Sequence, residues 1–212
     1  MNAAWRVAPQ AALDIIVMSQ PSRDHYLPVI DSSNRLLVEW DEQLAGVYYT
    51  DTRVKGLDVQ AYFFRKWEHD DTRPATHPQY QPDRSFNLLG GRVARTFSPG
   101  WTLTGEFAGE FGTQVPDRPI RAWGGQALLR RQWKAAWSPA VLAGYVGLSG
   151  DSPATSTIEQ WDPLVSRWPK WSEFYIASFA PEVGASYWTN LGMWQLEGTV
   201  APTRRTGFRA TY

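Results

Sequence analysis

The chain has 212 residues, no cysteine, and 21 basic against 21 acidic residues, so its formal net charge is zero. The lack of cysteine excludes disulfides, thiolate metal sites and cysteine nucleophiles, and a neutral chain supplies no global field for nucleic acid. Hydrophobic content is 43%, yet mean hydropathy is −0.40, and no run approaches the ~18 apolar residues that a transmembrane helix needs; a helical membrane protein is excluded, a strand-crossing one is not.

Alternation with a period of two recurs along the chain, cut by turn residues, and no 3.6-residue pattern is sustained. It predicts strands at about 3–8, 12–19, 44–51, 57–68, 86–97, 101–112, 121–132, 139–149, 190–200 and 206–212. From Leu57, Val59, Ala61 and Phe63 share a face against Asp58, Gln60, Tyr62, Lys66 and Glu68, with Phe64 breaking the pattern. The stretch from Phe86 is weaker: Leu89, Gly91, Val93 and Phe97 oppose Arg92 and Thr96, and Arg95 violates the apolar face. Trp101 to Gly112 is the clearest case. Trp101, Leu103, Gly105, Phe107, Gly109 and Phe111 fall on one side, and Thr102, Thr104, Glu106, Ala108 and Glu110 on the other. Pro139 to Leu148 is apolar on both faces, which leaves its orientation open. Trp194, Leu196 and Val200 oppose Gln195, Glu197 and Thr199, and Phe208, Ala210 and Tyr212 oppose Arg209 and Thr211.

The connections alternate in length. Short ones fall at 9–10, 52–56, 98–100, 133–138 and 202–205, and long ones at 20–43, 69–85, 113–120 and 150–189. Tight turns at one end and longer loops at the other are the habit of outer-membrane barrels. The expected fold is therefore all-β: one domain over residues 1–212, an antiparallel up-and-down meander of about ten strands forming part of a transmembrane β-barrel. The 12 Trp and 9 Tyr suit interfacial girdles; they also suit a Trp-rich β-sandwich or sugar-binding module. An outer-membrane protein needs a secretory signal, and here Met1-Asn2-Ala3 leads straight into Trp5-Arg6-Val7. On the barrel reading the chain is a piece of a longer gene with its signal upstream.

Catalysis finds little support. His25, His69 and His77 lie in predicted loops without ligand spacing, and Gly147-Leu148-Ser149-Gly150 is not a nucleophile elbow. Glu106 and Glu110 are two pleats apart on one strand face, roughly 13 Å, beyond the separation of a glycosidase pair. No metal or other cofactor, no enzymatic activity and no nucleic-acid partner is expected. The better candidates are charges on the polar faces: Lys66, Arg92, Glu106, Glu110, Arg130 and Arg209. Facing a wet lumen such charges are stable, whereas facing lipid near the midplane they cost about 2–4 kcal/mol each; rings of Lys and Arg select anionic solutes. The plainer reading is charge pairing that stiffens the wall.

One polar loop carries the sequence's most specific signal: Ser149-Gly150-Asp151, then Trp161-Asp162-Pro163-Leu164, then Trp168-Pro169-Lys170-Trp171-Ser172-Glu173, with Asn190-Leu191 opening the next strand. This order resembles the alginate export family of Gram-negative outer-membrane β-barrels, loosely from about Tyr48 to Tyr212 and closely only in this loop. The resemblance implies an 18-stranded porin whose basic lumen passes an anionic polysaccharide, or a related small solute, across the outer membrane. It also implies outer-membrane lipid as surroundings and barrel assembly machinery as a partner during insertion. The loop's Trp161, Asp162, Trp168, Lys170, Trp171 and Glu173 become gate candidates, since so many large rings should dock against a wall. About ten strands fall short of the family's full barrel. The competing reading is a secreted β-sandwich that binds or cleaves glycans, and the two differ in where the aromatic faces point.

Overall fold

The computed structural model describes residues 2–20, 41–69, 83–115, 117–165, 189–203 and 205–212. Among these residues, ten strands form a single antiparallel sheet in chain order. They are β1 (Asn2–Ala8), β2 (Ala11–Gln20), β3 (Asp41–Asp51), β4 (Leu57–His69), β5 (Arg84–Ser98), β6 (Trp101–Gln114), β7 (Arg118–Gln132), β8 (Ala140–Leu148), β9 (Leu191–Val200) and β10 (Phe208–Thr211). No helix occurs among the described residues. All ten predicted strands are present. Among the described residues the sheet is open, with β1 and β10 as its two edges.

Register gives each face its character, because successive side chains point to opposite sides of the sheet. One row runs Ala3, Ile15, Val47, Phe63, Leu89, Gly109, Trp123 across seven strands. Another runs Val59, Val93, Gly105, Ala127, Tyr145, Trp194. These rows lie on a bare apolar face, where Phe107 is 60% and Trp194 78% exposed and Phe63 and Phe208 are also exposed. Rings pair across strands there, Phe107 with Trp123 at 6.2 Å and Tyr145 with Trp194 at 5.1 Å. The strand from Ala140, undecided from sequence, turns Val141 and Tyr145 to the bare face and Val146 to the other.

The opposite face carries the buried residues. Leu44, Phe64, Leu88 and Ala108 form one apolar cluster, and Phe86, Ile120 and Ile158 a second, with Leu164 touching both. Phe64, which breaks the alternation read from sequence, keeps the pleat: it points to this face and packs over Gly46 of β3. Arg95 does sit on the bare face, where it is exposed near the turn at Pro99-Gly100 and can reach water along its stem.

Alternate connections share an end of a meander. The strand ends flanking Pro9-Gln10, 52–56, Pro99-Gly100, 133–139 and 201–207 lie at one end, and the strand ends flanking 21–40, 70–83, 115–117 and 149–190 at the other. The predicted long loop at 113–120 is corrected: β6 and β7 run on until three residues join them, with Thr113 paired to Pro119 and Gln114 to Arg118. Of the two prolines in that stretch, Pro119 stands at the second residue of β7, close to the strand start where the ladder tolerates it; Pro116 lies outside the described residues. At the short-turn end Gly100 has φ 81°, and a side chain there would strike the Gln132 carbonyl, so only glycine fits this turn.

Candidate functional site

The covered face reads as four successive rows from the long-loop end inward. The first is Glu42, Glu68, Arg84; the second Leu44, Lys66, Phe86; the third Phe64, Leu88, Glu110, Ala122; the fourth Tyr48, Tyr62, Gly90, Ala108, Gly124. Beneath them follows Gln60, Arg92, Glu106, Gln126. Charge, apolar packing, aromatics and polar groups are thus layered along the strands.

The 149–165 segment folds across these rows. Its base is tied by Ser149, whose hydroxyl accepts from Trp123 N–H at 2.9 Å and whose carbonyl accepts from Trp161 N–H, Asn190 N–H and the Thr189 hydroxyl. Asp151 accepts from Glu159 N–H at 2.9 Å. Ile158 then pairs beside Ile120, exchanging bonds with the backbone of Pro119 and Arg121 where β8 has ended. Burial of such a side chain contributes about 1.5–3 kcal/mol. Trp161 lies flat against Gly124, which has no Cβ to push it off.

Asp162 follows, 2% exposed, and enters a buried charge cluster. Arg84 donates to Asp162 and to Glu68. Lys66, 1% exposed, lies 2.6 Å from Glu68, 3.7 Å from Glu42 and 3.4 Å from Asp162, and it donates to the Leu164 carbonyl. Asp162 N–H donates to Glu110 at 3.1 Å. Among the described residues, two cations and four acidic side chains meet there: Glu42, Glu68 and Asp162 are ion-paired, and Glu110 is held through the Asp162 N–H. Isolated charges there would be far too costly, and it is the mutual pairing that holds them.

Below the cluster, between the loop and the sheet, is a cavity of about 380 Å³. Tyr48 and Tyr62 stack at 5.3 Å on one wall. Glu106 is held by the Tyr62 hydroxyl at 3.0 Å and Gln126 Nε2 at 2.8 Å. Trp161, Pro163 and Leu164 supply the loop side.

The chain matches no family model, no curated protein and no solved structure.

Of the residues singled out from sequence, Lys66, Glu110 and Asp162 meet in the charge cluster, and Trp161 and Glu106 meet across the cavity. Arg92 is on the same face and pairs with Asp58 at 3.2 Å. Arg130 and Arg209 lie toward the short-turn end, bonded to Gln132 at 2.8 Å and paired with Glu197 at 3.5 Å. Trp168, Lys170, Trp171 and Glu173 fall outside the described residues. Sequence reasoning passed over Glu42 and Arg84, which it assigned to loops, and left Glu68, Tyr62 and Gln126 without a role. The polar-face spacing of Glu68 with Lys66, two residues apart, was the signal that could have found the cluster.

Proposed function

We propose that this chain forms wall strands of an outer-membrane β-barrel channel, with the 149–165 segment docked on the lumen side as a constriction. The observation that carries the reading is the two-faced sheet: rows of uncovered apolar side chains span it on one side, and buried charge lies on the other. A soluble sandwich needs those aromatics packed against a second layer, and no second sheet stacks on them among the described residues. Strands β2 to β9 have 9 to 15 residues, enough for a tilted crossing that takes about 9–11. Trp101, Trp133 and Trp137 gather at the short-turn end, with Arg131 stacked on Trp101 and Trp133, as an interfacial girdle requires. Edges left open in lipid would strand backbone donors and acceptors, so β1 and β10 find partner strands in the inserted form.

The resemblance of the loop to the alginate export family supports a polysaccharide or related polar solute as cargo. Selection of an anionic one draws on inward cations: Lys66, Arg84, Arg92 and Arg209 each already face a carboxylate, and Arg130 is bonded to Gln132 instead. The test is reconstitution of the full-length protein. Fractionation with outer membranes, heat-modifiable migration and discrete conductance steps in planar bilayers are expected; a protein that stays soluble and leaves bilayers silent overturns the reading.

A further inference from the structure

We propose that the cavity beneath Trp161 is a subsite for one neutral pyranose ring of a saccharide. The proposal rests on the covered face being a lumen only for the ligand's route; the site itself is built from side chains already in place. Its volume of about 380 Å³ lies within the ~300–1,000 Å³ of small-molecule sites. Its walls are aromatic on two sides, Trp161 from the loop and Tyr48, Tyr62 and Phe64 from the sheet. A pyranose presents C–H groups on its faces and hydroxyls at its rim, so it matches a slot with apolar ring faces and a polar edge.

That edge is Glu106 and Gln126. Tyr62 occupies one carboxylate oxygen of Glu106 and Gln126 the other, each with a single hydrogen bond. Each oxygen has a second lone pair, and sugar hydroxyls are the donors that fit. The two existing bonds hold the carboxylate still, so a ligand meets a preformed acceptor. Tyr48 in turn is fixed through its hydroxyl to Gln60.

The lining also selects by charge. No Lys, Arg or His lines the cavity among the described residues. The basic neighbour on the next strand, Arg92, is engaged by Asp58 at 3.2 Å. A uronate carboxylate placed here would face Glu106, and the cross-strand neighbour Arg92 is already engaged by Asp58, so among the described residues no free cation offsets the like charge. A neutral hexose meets no such penalty. The charge cluster above, with Asp162 anchored by Lys66 and Arg84, keeps Trp161 in position as the lid of the slot.

The test is calorimetric titration of the full-length protein in detergent micelles with cellobiose, maltose and digalacturonate. One of the neutral disaccharides should bind, and digalacturonate should bind at least about tenfold more weakly. Trp161→Leu, which keeps an apolar group over Gly124 but removes the ring face, should weaken the neutral sugar about tenfold or more. Gln126→Ala, on the sheet and outside the loop anchor, should also weaken it, so the result does not hang on one variant folding. Neither disaccharide binding, digalacturonate binding as well or better, or binding unchanged in both variants each overturns the subsite. A protein that conducts yet binds no neutral disaccharide loses the subsite and keeps the channel; one that binds in micelles and never conducts does the reverse.

Discussion

Lys66 Nζ stands 3.4 Å from both carboxylate oxygens of Asp162, although 96 residues separate the two in sequence. A wall strand and a surface loop are joined there in a site almost closed to water. Arg84 binds the same carboxylate from the next strand, so the loop is held at one point by two strands at once.

Replacing Asp162 should free the loop and spare the wall. In Asp162→Ala, Lys66 keeps Glu68 at 2.6 Å and Glu42 at 3.7 Å, and Arg84 keeps Glu68. The expected outcome is faster protease cleavage within 150–165 and a higher single-channel conductance, with heat-modifiable folding retained. Unchanged conductance with the loop cleaved would make the segment a surface feature.

Lys66→Met should be worse for stability than Asp162→Ala. Among the described residues it leaves Arg84 as the cation of the cluster, against Glu42, Glu68, Glu110 and Asp162. Breaking a buried pair from one side costs about 3–5 kcal/mol because the partner charges stay buried. The urea midpoint for refolding into lipid vesicles should drop further for Lys66→Met than for Asp162→Ala; the reverse order would mean that water reaches the cluster.

The meander was legible in the sequence because strand alternation survives wherever one face differs from the other. Trp101 to Gly112 shows this, and β6 keeps that facing. The cluster was hidden for a reason of geometry. Glu42 and Arg84 lie at the long-loop ends of β3 and β5, where Asp, Glu and Arg read as solvated loop. The strands extend two or three residues further than their alternation, because those charges pair with one another on the inner face. Phe64 misled for a related reason: an inner face with its own apolar cluster has no strict polar code. Asp162 was visible as part of a motif, but its partners come from strands 78 and 96 residues earlier, and no local pattern encodes that contact.

Gly124 should be intolerant of a side chain while the strand around it is not. A Cβ there would meet the Trp161 ring at 2.8–2.9 Å, closer than packed atoms allow. Gly124→Val should lift Trp161 and raise protease access to the loop without abolishing insertion, since valine favours strands. Val146→Leu, on the same face of β8, is the matched control. Equal loop protection in both variants would show that Trp161 does not depend on this close approach.

Phe107 tests which face meets lipid. It stands midway along β6, pairs with Gly91 and Gly125, and is 60% exposed. Phe107→Arg places a charge near the centre of the bare face, which in a bilayer costs about 2–4 kcal/mol. Thr104→Arg puts the same charge three residues away on the opposite face, beside the row of Asp58 and Ala94, where a wet lumen accepts it. Refolding into vesicles should therefore be much weaker for Phe107→Arg and close to wild type for Thr104→Arg. In water, where an exposed arginine costs little, both variants should be nearly neutral, so a soluble protein would give no contrast between them. Equal stability of the two in vesicles would remove the bare face from the membrane and the channel reading with it.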